Sequence, residues 1–155
     1  MVTVDMKSLL MHLNNFCTGA LQGAAGLAVS WTHYEVTVEH FMMKLAESQR
    51  TDWFPILQRF GVDNGRMQKA LSDVLEELKD GNSGKPVFSP LLIELIQDAW
   101  LISSIDLGEK KVRSGAILLA FLAKPTFYAS GRYAELLKGI GREALTSEFW
   151  TLTKG

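Results

Sequence analysis

The sequence predicts an all-α fold: two four-helix motifs related by a pseudo-twofold axis, packed as one domain, with an extra helix in front of them. Three observations carry this expectation. Apolar residues recur at helical spacing along nearly the whole chain, and no β-alternation of useful length competes, residues 35–38 alone being ambiguous. Ser, Thr and Asp precede these segments while Gly and Pro close them, as helix boundaries require. The chain also states one pattern twice. Gln22-Gly23-Ala24 matches Gln97-Asp98-Ala99 at an offset of 75, His40-Phe41-Met42-Met43 matches Ala116-Ile117-Leu118-Leu119 at 76, and Ile56-Leu57 through Phe60-Gly61 matches Leu136-Leu137 through Ile140-Gly141 at 80. Residues 14–78 and 89–153 each supply one copy, joined by a polar linker at 79–88. A four-helix half of this length buries little core alone, so the copies are expected to pack against each other as a single domain over 1–155.

Each element follows from local chemistry. Over 5–13, Met6, Leu9, Leu10 and Leu13 fall at i, i+3, i+4 and i+7 while Lys7, Ser8 and His12 take the other side, which makes a short amphipathic helix outside the repeat. From 15 to 31, Cys17, Leu21, Ala25 and Ala28 mark one face and Phe16, Ala20, Ala24 and Leu27 the neighbouring one. Thr37 can cap the next helix, Glu39 suits the positive end of its dipole, and 41–45 form an apolar body. Pro55 sits early in a weaker helix that ends at Gly61. Asp63 caps a segment in which Met67, Leu71, Val74, Leu75 and Leu78 keep helical spacing until Gly81. Ser89-Pro90 is an N-cap followed by proline at the first helical position, where a missing N–H costs nothing, and Leu92, Leu95, Ile96, Ala99 and Trp100 turn inward behind it. Residues 114–123 are apolar enough for a buried central helix that must end before Pro125. Two further helices are expected over 133–138 and 142–152.

Composition narrows the function. Sixteen Lys+Arg against 17 Asp+Glu leave a net charge of −1 at a sequence pI near 6.3, which gives no electrostatic reason to expect nucleic acid or anionic lipid as a partner. The single cysteine, Cys17, has no partner for an internal disulfide, and no Cys/His cluster has zinc-ligand spacing. The longest apolar run, 116–123, is far shorter than the roughly 20 residues a membrane span needs. The start of the chain lacks the basic stretch and apolar run of a secretory signal, so a cytoplasmic location is expected.

Catalytic constellations mostly fail. Gly81-Asn82-Ser83-Gly84-Lys85-Pro86 invites a phosphate-loop reading, but that motif needs four residues between the glycines and Ser or Thr after the lysine, so a solvated turn is expected. Of His12, His33 and His40, none has a local signature pairing it with Cys17 or a serine. His40, in the first turn of the apolar helix, is expected to pack or bond locally, and Glu39 is read as a helix-start charge. Asp73, Glu76 and Glu77 lie on the outer side of their helix. No catalytic residue, metal ligand or cofactor site is therefore expected in this chain.

What remains suits the binding of another helix. Gly19, Gly23 and Gly26 interrupt a helical pattern at a cost of about 1 kcal/mol each relative to alanine, which calls for a compensating contact. Ala20, Ala24 and Ala28 recur at i+4 with Gly19 and Gly23 beside them, so one side of this helix is nearly flat. That stripe either packs within the chain, against the second copy or the first helix, or floors a groove for an external helix walled by 5–13. Both uses are open at different turns. Leu9 and Leu10 similarly either dock the first helix on the core or line the groove, and Val87-Phe88 either staples onto Ile93 or forms a groove wall.

Taken together, the duplicated pattern, Thr37-Val-Glu-His-Phe-Met-Met-Lys-Leu45 in its first copy and Ser89-Pro-Leu-Leu in its second resemble the N-terminal domain of the Clp/Hsp100 AAA+ unfoldases over nearly the whole chain. Leu13-Asn-Asn-Phe-Cys-Thr18, Ala24-Ala-Gly-Leu27, Thr32-His-Tyr-Glu-Val-Thr-Val-Glu-His40 and Pro86-Val-Phe-Ser-Pro90, with the leading extra helix, are more specifically similar to the ClpV (TssH) family of bacterial type VI secretion. The resemblance implies a double Clp N repeat. It also implies a hexameric ATPase whose two ATP- and Mg-binding modules lie outside this chain, which by itself hydrolyses nothing and is expected to be a monomer. In that family the N-domain recognises an N-terminal helix of the large sheath subunit (TssC, or VipB), so that contracted sheaths are disassembled and recycled. The groove expected here is formed by Leu9, Leu10, Leu13, Phe16, Ala20, Gln22, Gly23 and Phe88, between the first helix and the start of the second. The alternative is a general Clp N-domain, ClpB- or ClpC-like, that binds misfolded segments or an adaptor.

Overall fold

A computed structural model describes residues 5–154; the outermost residues of the predicted domain, 1–4 and 155, with the start of the chain that was read for a leader, lie outside them. The first helix, α1 (Met6–Met11), is capped by the Asp5 carboxylate, which accepts from the Lys7 N–H. Asn14 caps α2 (Asn15–Ser30) by accepting from the Cys17 N–H. A two-residue strand, β1 (Glu35–Val36), leads into α3 (Val38–Glu47), then α4 (Trp53–Arg59) and α5 (Asn64–Glu76). The linker ends in β2 (Val87–Phe88), and the second copy runs through α6 (Pro90–Leu101), a π-helical turn (Ile102–Asp106), α7 (Ser114–Ala123), two single-turn helices α8 (Pro125–Tyr128) and α9 (Tyr133–Leu136), and α10 (Arg142–Leu152). The predicted caps Thr37, Asp63 and Ser89 all accept from the backbone of the following turn.

Symmetry is visible in the backbone pairing. Val36 pairs with Phe88 in a parallel ladder, and Leu13 forms a parallel bridge with Val112. At offsets of 75 and 76 these are one contact written twice with the partners exchanged, since Leu13 corresponds to Phe88 and Val36 to Val112. The hydrogen bonds repeat as well: Ser89 N–H donates to Val36 O at 2.9 Å, and Asn14 N–H to Val112 O at 2.9 Å.

The core sits between the copies. Phe41, Met42 and Leu45 of α3 and Ala116 to Phe121 of α7 are almost wholly buried, each large side chain worth about 1.5–3 kcal/mol. Helix α3 packs against α2, α5 and α6, and α7 against α6, α4 and α10, so elements of each copy close the core of the other.

Several local expectations change. The helix before the linker stops at Glu76 rather than running to Gly81. The segment over 133–138 shortens to α9, and Pro125 starts α8 instead of only ending α7. Val87 is 63% exposed and so staples nothing, while Phe88 is half-buried. Glu39 does stand in the first turn of α3, but it is 3% exposed, and its carboxylate accepts from the Ser130 N–H at 3.0 Å and from the Tyr133 hydroxyl.

Candidate functional surface

Helix α2 is apolar on its inner side and nearly bare outside. Cys17, Leu21, Ala24 and Ala28 are buried, so the alanine stripe packs within the chain at Ala24 and Ala28. Gly19 and Gly26 do not: a Cβ added at either would meet nothing within 4 Å. At Gly23 a Cβ would come within 3.2 Å of the Lys44 methylenes, which lie along the helix there. Phe16, 39% exposed, stands at the mouth of a shallow depression of about 310 Å³ that it lines with Asn15, Gly19, Ala20, Lys44 and Thr51.

The expected groove residues separate into groups. Leu9 and Leu13 belong to the core. Leu10, Ala20 and Phe88 are half-buried against it, Gly23 is half-buried under Lys44, and Phe16 and Gln22 are exposed. The structure brings Phe16 and Ala20 into one depression; Leu10, Gln22, Gly23 and Phe88 do not line it. Helix α1 takes α6 as its main neighbour, with the His12 ring over Trp100 at 4.1 Å between centroids. Lys44 and Thr51 were missed. A signal for Lys44 existed, because a lysine set between the apolar Phe41–Met43 and Leu45–Ala46 must bring its charge to a surface while its stem covers apolar ground.

Duplication turns the openness of α2 into a controlled comparison. Asp98 and Trp100 of α6 stand where Gly23 and Ala25 stand on α2, on opposite flanks of the outward face. On α6 both flanks are covered: Tyr128 of α8 donates its hydroxyl to Asp98, Lys124 lies 3.0 Å from the same carboxylate, and His12 covers Trp100. Among the described residues the principal neighbours of α2 are α3 and β1, so α2 has no principal helix neighbour in the places that α8 and α1 take on α6, and the flank at Gly23 is covered only by the Lys44 side chain. A larger depression, about 680 Å³ near Asp63, Arg66, Lys69 and Arg132, is lined mostly by charged side chains and offers an apolar helix face little.

The groups with catalytic potential are occupied structurally. Burial pushes the Cys17 thiol up to about 12, leaving it without a nucleophilic thiolate near neutrality. His40 Nδ1 accepts from the Thr37 N–H at 2.9 Å, which leaves its Nε2–H to donate to His33 Nδ1 at 2.8 Å. Burial, then the neighbouring His33, lowers His40 to about 4, and burial also lowers His33. Glu39 is raised by burial, against which the Tyr133 and Ser130 hydrogen bonds work. Among the described residues no group of His, Cys, Asp and Glu is arranged to hold a metal ion, and no helix is long and apolar enough to cross a membrane.

Comparison with known proteins identifies the fold. The Clp repeat (R) N-terminal domain family matches residues 13–138. The N-domain of ClpV from Vibrio cholerae is 33% identical and superposes with a TM-score of 0.91 over 99% of this chain and 92% of that one. A complex of a ClpV N-domain with VipB peptide is also 33% identical, with a TM-score of 0.89 over 99% of this chain and 94% of that one. The AAA+ ATPase ClpV1 of Pseudomonas aeruginosa is 25% identical over 151 residues, which cover 96% of this chain and 17% of that protein. The chain thus spans about a sixth of the length of that curated relative, and it belongs to the Clp repeat N-terminal domain family, among the ClpV N-domains.

Proposed function

We propose that this chain is the substrate-recognition N-domain of a type VI secretion AAA+ unfoldase and that it receives an amphipathic N-terminal helix of the large sheath subunit, TssC or VipB. The carrying observation is the outward face of α2, open where the equivalent face of α6 is covered by α1 and α8. A ClpV N-domain of the same fold and 33% identity in complex with a VipB peptide supports the choice of partner. Phe16, Ala20, Gln22, Gly23, Leu10 and Phe88 offer the accessible surface, with Leu9 and Leu13 beneath α1 holding that helix in place. Apolar contact supplies affinity, and the bare glycines admit a close backbone. One short helix buries limited area and must be ordered on binding, so affinity is modest. In the whole protein, ATP and Mg bind modules outside this chain, a hexamer forms, and the cytoplasmic contracted sheath is taken apart.

Fluorescence anisotropy with a labelled peptide of the sheath subunit's N-terminal helix tests this. Leu10→Asp, Phe16→Asp and deletion of residues 1–12 are expected to abolish binding while circular dichroism stays helical. Unchanged binding in all three rejects the site. Equal binding of a proline-broken peptide favours a general Clp N-domain that captures unfolded segments.

A further inference from the structure

The trough on α2 is not electrically uniform. Asn15 lines one side of it, and the preceding residue, Asn14, lines a second depression of about 550 Å³ together with Gly108, Glu109, Lys110, Lys111 and Arg113. Half of the charged side chains there are balanced. The Arg113 guanidinium is held by Asp52 at 2.8 Å and by Glu109 at 3.1 Å. Lys111 instead donates to the Met11 carbonyl at 2.7 Å, a neutral partner that leaves its charge uncompensated. Lys110 makes no ion pair among the described residues, and both lysines are exposed.

On the α3 side of the depression, the Lys44 ammonium lies 3.3 Å from Glu47, a pair with no net charge. The two lysines are also held in place. Val112 N–H donates to His12 O at 2.7 Å and Asn14 N–H to Val112 O at 2.9 Å, which ties the lysine-bearing loop to the start of α2.

Resting on the reading of α2 as the seat of a foreign helix, we infer that this helix carries carboxylates at the end lying over Asn14, where Lys110 and Lys111 engage them and set the direction in which it lies. An apolar trough floored by glycine and alanine accepts a helix in either direction almost equally. A charge at one end separates the two orientations, because the reversed helix carries its carboxylates away from the two lysines.

The test uses fluorescein-labelled amphipathic peptides with a constant leucine face and two glutamates at the N-terminal end, the same two at the C-terminal end, or glutamines at both. The 155-residue chain is compared with its Lys110→Glu/Lys111→Glu variant. One glutamate peptide is expected to bind the unmodified chain about tenfold tighter than the glutamine peptide at low ionic strength, with the gap closing as salt rises. The variant should lose that preference and keep its affinity for the glutamine peptide. Equal affinity of all three peptides for the unmodified chain, or a preference that survives charge reversal, overturns the inference while leaving the apolar seat intact. If none of the three binds, the seat itself is wrong and this inference fails with it.

Discussion

Arg113 and Asp52 form a two-pronged ion pair across the junction of the two copies, Nε to Oδ2 at 2.8 Å and Nη2 to Oδ1 at 3.0 Å. The same carboxylate accepts from the Gly115 N–H at 2.9 Å, so the first copy supplies the N-terminal cap that Arg113, at the capping position of α7, lacks. Both side chains are mostly buried. Asp52→Ala should therefore leave a guanidinium half-neutralised and an N–H orphaned, lowering stability by about 2–4 kcal/mol. Glu148→Ala, which breaks the far more exposed Arg59–Glu148 pair, should cost less than about 1 kcal/mol. Urea unfolding curves of the two variants check the contrast.

Glycines of this chain divide by what surrounds them, and alanine substitution should reveal it. A Cβ on Gly115 would fall 2.7 Å from the Phe149 ring, inside the packed centre of the second copy. Gly115→Ala is expected to lose about 1–3 kcal/mol as that ring is forced aside. Gly26→Ala meets open space in mid-helix and should gain up to about 1 kcal/mol. Thermal melts of the two proteins should move in opposite directions; a loss at Gly26 would mean its bareness has a structural use inside the chain.

Much of this architecture was legible in the sequence because its causes are local. Asp63 and Ser89 act within three residues of themselves, whereas the exchanged pairings of Leu13 with Val112 and Val36 with Phe88 each reach one residue outside the copies read at 14–78 and 89–153. The missed features are non-local. Glu39 looks like a dipole complement until Tyr133, 94 positions away, is folded onto it. The π-helical turn over Ile102–Asp106 continues an apolar pattern with no glycine or proline to announce it. On α2, Gly19 and Gly23 show themselves through their cost in a helix. Lys44 and Thr51 reach α2 only through the packing of α3 and the turn after it, which no spacing along the chain encodes.

Cys17 offers a clean probe of global opening. Its thiol is fully buried and pushed up to about 12 by that burial, so it is both inaccessible and protonated near neutrality. An aromatic disulfide reagent at pH 8 should leave the native protein unmodified and react fully in denaturing urea. Rapid reaction in the native state would show that α2 detaches locally from α3.

The paired imidazoles predict a pH dependence with a definite sign. His40 titrates near 6.5 when unfolded but at about 4 in the native protein, because burial and His33 disfavour its charge. Between these values the unfolded chain holds a proton that the native state lacks. Its contribution is therefore complete above pH 6.5 and declines by about 1.4 kcal/mol per unit as pH falls towards 4. Glu39 works against this in the total curve, since its raised native value makes its own contribution grow with acidity. The two are separated by subtracting the stability–pH curve of a His40→Asn variant, in which the Glu39 contribution is retained, from that of the unmodified protein. The difference should shrink steadily from pH 6.5 to 4, and the His40 ring resonances should stay those of a neutral imidazole over most of that range. A His40 titration midpoint near 6.5 in the folded protein would show that Thr37 and His33 do not hold the ring as its hydrogen bonds indicate.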